Sequence, residues 1–152
     1  MDVNGNLLDA GLVDPHYVVV ETGLQAVKTQ PVNSYNRLEE NDASGWIWQT
    51  ANNQPTNIEL SFETTFDLTG YDDTTAIITG DWAVDDRGLG IALNGKAIGL
   101  TNNSGYSLFT SFAITSGFQP GVNTLTFTVI DNGVAGGLRV DNVRLRAMRA
   151  LA

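Results

Sequence analysis

The 152-residue chain has no cysteine, a single histidine, two methionines and four prolines. Without cysteine there is no disulfide, no thiol nucleophile and no thiolate zinc site, and His16, in a turn beside Pro15, cannot complete a metal set alone. His16 is therefore read as structural. Basic residues are scarce: 8 Lys+Arg against 17 Asp+Glu give a formal net charge of −9. Such a surface repels phosphate backbones and anionic headgroups, so no nucleic acid and no acidic membrane is expected as a partner, while neutral glycans and divalent cations stay compatible. No apolar run reaches a membrane span, so no membrane insertion is expected, and the first residues lack the basic and apolar regions of a signal peptide. Catalytic signatures are missing as well. There is no Gly-x-Ser-x-Gly, no phosphate-binding loop and no dinucleotide fingerprint; Gly88-Leu89-Gly90 is a fragment of the last and precedes a strand. The acids would suffice for a paired-carboxylate glycosidase, but acids in loops are the ordinary solvated surface of an acidic chain. A protein that is not an enzyme is expected.

What is present is period-two alternation. Glu59–Leu68 puts Leu60, Phe62, Thr64, Phe66 and Leu68 on one side, and Ala76–Val84 puts Ile78, Trp82 and Val84 on one face with Asp81, Ala83 and Asp85 on the other. In Thr124–Asp131, Leu125, Phe127 and Val129 oppose Thr124, Thr126 and Thr128. Leu108, Phe112 and Ile114 share a face of a further strand. Val18–Val20 and Leu24–Val27 read as short strands parted by Glu21-Thr22-Gly23, after a turn at Asp14-Pro15-His16. Asn94-Gly95, between Ile91-Ala92-Leu93 and Lys96-Ala97-Ile98, supplies the two φ > 0 residues of a type I′ hairpin. In the last strand Leu138 and Val140 have one parity, Val143 and Leu145 the other. One buried face cannot switch parity without an inserted residue, so a β-bulge is expected near Asp141-Asn142. Residues 30–55 are polar and the least periodic, a long loop that is either functional or packed on itself. No amphipathic helix of three turns is legible. The pattern predicts an all-β, two-sheet antiparallel β-sandwich, one domain over residues 1–146, with 147–152 as a C-terminal tail or linker.

Order and spacing add a resemblance. An acidic strand (Gly80–Asp86), the Asn94-Gly95-Lys96 hairpin, an aromatic strand (Leu108–Ile114) and the Gly121-x-Asn123-x-Leu125 edge follow as in galactose-binding-like jelly-roll modules. The segment is similar to the sugar-binding domain of family 2 glycoside hydrolases. The wider run, from Asp2–Leu8 and Val13–Tyr17 through Trp46-Ile47 and Thr64–Gly70 to Gly137–Asp141, resembles a module repeated in exported bacterial surface proteins. The resemblance implies a jelly roll and, at that level, a binding or purely structural role.

Site candidates follow. Trp82 shares parity with Ile78 and Val84 and is expected in the core. Trp46 and Trp48 flank Ile47 and project the same way if the segment is extended. They are either a platform for pyranose faces, with nearby amides for the hydroxyls, or a plug at one end of the sandwich. The family pattern continues Trp46-Ile47 with a smaller residue, so Trp46 is expected to be buried and Trp48 to be a ligand-binding residue. Asp85, Asp86 and Arg87, beside Gly88, are further ligand-binding candidates, with Asn102, Asn103 and Tyr106 in the loop after the hairpin. In the glycosidases that the resemblance points to, the corresponding loops border the substrate cleft. No catalytic residue is assigned. The resemblance also implies a structural calcium ion held between N-terminal residues and an acid on the last strand, a role that falls to Asp141. No other cofactor is required. Asp2-Val3-Asn4-Gly5-Asn6 opens like an EF-hand loop, but Leu7 stands where Gly is needed and Val13 where Glu is, so a glycine-containing turn is expected.

These readings converge on a non-catalytic carbohydrate-binding or adhesion module of an exported bacterial protein, extracellular or on the cell surface. Its partners are a neutral glycan or neighbouring domains of the parent protein, and Met1 then belongs to an excised fragment. Two alternatives stand beside it: a structural spacer or assembly module with no small ligand, and the accessory domain of a glycosidase.

Overall fold

The structure is a computed structural model and describes residues 1–151. Ten strands follow in order: β1 (Val13–Val19), β2 (Leu24–Lys28), β3 (Ile47–Trp48), β4 (Ile58–Asp67), β5 (Tyr71–Asp85), β6 (Arg87–Leu93), β7 (Lys96–Ala97), β8 (Thr110–Ile114), β9 (Val122–Asp131) and β10 (Gly137–Arg149). Neighbours pair antiparallel in one hydrogen-bonded ladder, β7-β6-β9-β4-β1-β2-β3-β10-β5-β8. Its two halves, meeting at the β1–β2 hairpin, pack face to face. Trp82 of β5 and Phe112 of β8 each meet Phe127 of β9 at 5.7 Å between ring centroids, and Trp48 meets Phe62 of β4 at 5.5 Å. This is the two-sheet antiparallel β-sandwich that the alternation predicted, in the jelly-roll form that the resemblance implied. The inward rows Leu60–Phe62 and Leu125–Phe127–Val129 are fully buried, and each such side chain stabilises the fold by about 1.5–3 kcal/mol.

Asn94 and Gly95 have φ of 52° and 78°, and Leu93 pairs with Lys96, so the type I′ hairpin is present. The register of β10 against β5 slips between Asp141 and Arg144, and Asn142 sits at φ 53°, which is the expected bulge. Among the described residues the helical structure is a single 3₁₀ turn, Gly105–Ser107.

Three local readings are corrected. Asp14-Pro15-His16 lies within β1; the Asp14 side chain does accept the His16 N–H at 2.8 Å, but the turn is absorbed as a register irregularity of the strand. Leu108 is 59% exposed and precedes β8, so it does not share the core face of Phe112 and Ile114. Residues 147–149, expected in a tail, complete β10: Met148 pairs with Asp72 and Arg149 with Tyr71.

The long loop is packed on itself and on the sheet, and buried cations do the fastening. Arg139, 1% exposed on the outer face of β10, donates from Nε to Ser44 Oγ at 2.8 Å and from Nη1 to the Glu39 carbonyl at 2.6 Å. Lys28 pairs with Glu40 at 2.7 Å, and Glu40 also accepts the Trp46 N–H at 2.8 Å. The Trp46 indole donates to the Leu38 carbonyl at 2.9 Å. The loop therefore forms a third layer over one sheet, which is why Ala83 and Asp85, on the outer face of β5, are as buried as its core face.

Candidate functional site

The chain leaves β5 at Asp85 and enters β6 at Arg87, while β9 ends at Asp131 and β10 begins at Gly137, so four strand ends converge. The long loop closes over them. Arg37 lies across the junction: its guanidinium stacks on Trp46 at 4.1 Å, donates to Asn53 Oδ1 at 2.7 Å and to the Gly136 carbonyl at 2.8 Å, and brings Nε to 3.4 Å from Asp85 Oδ2. The Tyr35 hydroxyl donates to the same Asp85 oxygen. The Tyr35 ring tilts onto Tyr106 at 4.5 Å between centroids, and the Leu38 N–H donates to the Tyr106 carbonyl at 2.8 Å. Both tyrosines are half-buried. Beside Tyr35 a groove of about 490 Å³ runs along the loop, offering Gln30, Asn33, Asn36 and Glu39 around the aromatic ring.

The electrostatics follow from burial. Desolvation pushes the Asp85 carboxyl up to about 6, against the lowering effect of the Tyr35 hydrogen bond and the Arg37 charge. Burial also raises Asp131, despite N–H donors from Asn57 and Gly133. Tyr35 is raised by burial and then by its bond to Asp85, so its hydroxyl stays a donor. Burial lowers Arg37, with Asp85 opposing.

The structure brings some sequence candidates together and removes others. Asp86 is half-buried and its Oδ2 accepts the Asn132 N–H at 2.8 Å. The 102–106 loop does lie beside the 85–88 turn, since Gly88 and Asn102 form a β-bridge and a Cβ on Gly105 would sit 3.7 Å from the Asp86 carbonyl. Asn103 is exposed there. Asn102, however, is 1% exposed and committed: its Nδ2 donates to the Trp82 carbonyl at 2.9 Å, and its Oδ1 accepts from Ser104 N at 2.9 Å and Thr110 Oγ1 at 3.1 Å. It is an internal brace. Asp85, at 1% exposure, offers no surface to a bulky ligand and meets Tyr35 and Arg37 instead.

Trp48 is corrected most sharply. It is wholly buried in the core, and its indole donates to the Pro55 carbonyl at 2.8 Å. Trp46 is buried as expected, but it contacts Arg37 where Trp48 contacts Phe62, because the segment is too short and irregular a strand to keep the two on one face. Trp82 is a core residue, 1% exposed. Arg87 is exposed, and the guanidinium that meets Asp85 is instead Arg37, which the sequence reading passed over. The available signal was Gly136-Gly137, a glycine pair that marks close approach at the start of a strand.

Asp141 stands apart from any group of three acids among the described residues: its Oδ1 accepts the Asn142 N–H at 2.6 Å, and its Oδ2 lies 3.9 Å from the Arg139 guanidinium. Among the described residues the acids that do cluster are Asp85, Asp86 and Asp131, each offering a carboxylate oxygen within 4.8 Å of the others. The EF-hand-like start is a turn closed by Asp2, whose Oδ1 accepts the N–H groups of Asn4 and Asn6. A second cleft, about 370 Å³, opens between the sheets at the other end of β4 and β9, lined by Phe66, Ile78, Leu125 and Val143. Among its polar positions are Asp14, His16, Asp141 and Asn142.

No family model and no curated protein matches the chain. Solved structures do. The enzymatically active domain of tailspike protein 4 of bacteriophage CBA120 is similar at 15% identity and TM-score 0.51, over 95% of this chain and 22% of that one. CBM35 of Paenibacillus barcinonensis matches at 18% identity and TM-score 0.47, covering 89% of this chain and 95% of that one. TmCBM61, in complex with beta-1,4-galactotriose, matches at 16% identity and TM-score 0.49, over 95% and 96%. At such identities the likeness is one of fold alone, and that fold is the jelly-roll sandwich.

Proposed function

We propose that the chain is a non-catalytic carbohydrate-binding module of an exported bacterial protein, and that it takes a neutral sugar at the Tyr35–Tyr106 loop end. The observation that carries the reading is the aromatic pair itself: two half-buried rings at 4.5 Å, of which Tyr35 is pinned by a buried carboxylate and lines a groove that also holds amides. Apolar pyranose faces stack on such rings while side-chain amides bond the hydroxyls, and the groove volume falls in the range of small-ligand clefts, about 300–1,000 Å³. Asp86, Asn103 and Tyr106 remain site residues; Arg37 and Asp85 position Tyr35. A glycosidase reading is disfavoured by geometry. Two of the three clustered acids are 1% exposed, so a glycosidic oxygen and its water cannot reach them. The low lysine and high Thr, Asn and Gly content support export.

The test is a glycan array read with the wild type, Tyr106→Ala and Tyr35→Ala. Neutral glycans should be retained by the wild type, and Tyr106→Ala should lose most of the affinity while melting near the wild-type temperature, since one ring supplies a few kcal/mol, about 1.5–3, of binding. Binding of no glycan by the wild type would move the chain to the spacer reading, and full binding by both variants would move the site away from the tyrosine pair.

A further inference from the structure

We propose that Asp85, Asp86 and Asp131 form a site for a hard divalent cation, calcium, at the crossing from β5 to β6. Each contributes a carboxylate oxygen within 4.8 Å of the other two. Oxygens on opposite sides of a calcium ion are about 4.6–5.2 Å apart, those of magnesium about 4.0–4.2 Å, as twice the respective metal–oxygen distances. Three oxygens within that span fit around one calcium ion, whose shell is the wider of the two.

A second observation is independent of the clustering. Asp131 is 1% exposed; its Oδ2 accepts N–H groups from Asn57 at 3.0 Å and Gly133 at 3.2 Å, while its buried Oδ1 has no hydrogen-bond partner. A carboxylate oxygen removed from water and given no donor is costly, and such orphaned atoms ask for an unseen partner. Parity explains its position, because Asp131 continues the inward row Leu125–Phe127–Val129 to the end of β9.

The charge count points the same way. Three carboxylates share one guanidinium, Arg37, which approaches Asp85 and spends its Nη donors on Asn53 and Gly136. Ionised, the group carries a charge of −2 that one divalent cation would cancel. All donors are oxygens, with no histidine or thiol at hand, which selects calcium over zinc or copper. Asp86, half-buried, leaves a path for the waters that complete the shell. This site excludes the last-strand acid Asp141 and adjoins the tyrosine pair, since Asp85 holds the Tyr35 hydroxyl and Asp86 is shared; cation binding is nevertheless read without any sugar.

The experiment uses the full chain after chelation, titrated with calcium by thermal melt and with terbium by luminescence excited through tyrosine, Tyr35 being bonded to Asp85. Calcium should raise the melting temperature, terbium emission should saturate, and calcium should displace it. Asp131→Asn and Asp86→Asn should each weaken binding on the order of tenfold or more, while Asp141→Asn should bind as the wild type does. If Asp131→Asn fails to fold, Asp86→Asn carries the test, since Asp86 is partly exposed and anchored by one N–H. No melting shift with no terbium signal, or a calcium response that survives in Asp86→Asn, would overturn the site. A magnesium response equal to that of calcium would overturn the choice of ion.

Discussion

At the scale of single residues, the loop end is shaped by side chains that are absent as much as by those present. A Cβ on Gly137 would lie 1.7 Å from Arg37 Nη2, and one on Gly136 would lie 2.1 Å from the Trp48 indole. The two glycines let Arg37 reach the start of β10 and let Trp48 pass beneath it. Arg37 in turn sets the environment of Asp85, whose titration carries a sign. Burial raises its carboxyl from 3.8 to about 6, so the folded chain holds a proton that the unfolded chain has released between those values. Its contribution to stability is complete below pH 3.8 and is lost as pH rises through about 6. In chelator, wild type should thus lose ground to Asp85→Asn as pH rises across this window, measured as the difference between their melting temperatures. A difference that stays flat, or that widens in favour of wild type, would show that Asp85 is ionised without penalty and that Arg37 compensates its burial in full.

Elements were legible wherever one face of a strand is buried, because a period of two is then imposed residue by residue. β4, β5 and β9 follow the alternation of Leu60–Phe66, Ile78–Val84 and Leu125–Val129, and the parity break in β10 located its bulge. Legibility fails where that single-face condition fails. Trp46, Ile47 and Trp48 are all buried, since one face meets the core and the other the long loop, so alternation no longer says which side a ring takes. The case of residues 147–149, expected in the tail, has the same origin: the end of β10 is largely exposed on both faces, and its pairing to Tyr71 and Asp72 does not show in the side-chain pattern. The Asn94-Gly95 turn sits at the other extreme, set by local chemistry alone. A side chain at Gly95 would meet nothing within 4 Å, so only its φ of 78° opposes substitution. Gly95→Val should therefore cost about 1–3 kcal/mol through the backbone alone, read by chemical denaturation. Stability equal to that of the wild type would mean that the turn relaxes freely to another type.

For the molecule as a whole, two sheets and a loop layer make three tiers, and the third is held by the buried cations Lys28, Arg37 and Arg139. Its key contacts span the chain: Arg37 to Gly136 is 99 residues apart in sequence, and Arg139 to Glu39 is 100. This is why the loop end was half legible. Asp86, Asn103 and Tyr106 lie on turns whose position follows from neighbouring strands, but an arginine in a polar segment reads as solvated until the fold supplies distant carbonyls to bury it. Arg139 is the more instructive of the two, since it occupies an outward position of β10 between Leu138 and Val140. Besides Ser44 and Glu39 it stacks over Phe109 at 4.9 Å, so a single side chain ties the loop, the approach to β8 and the sheet. Arg139→Leu preserves bulk yet leaves those buried acceptors without a donor, and it takes from Asp141 the guanidinium 3.9 Å away. Breaking such a buried ionic group costs about 3–5 kcal/mol. The variant should unfold at correspondingly lower denaturant, and amide exchange should accelerate in residues 38–44 while Leu125–Val129 stay protected, because the sandwich core does not depend on the loop. Protection lost in both regions together would instead make the loop layer part of one cooperative unit with the core.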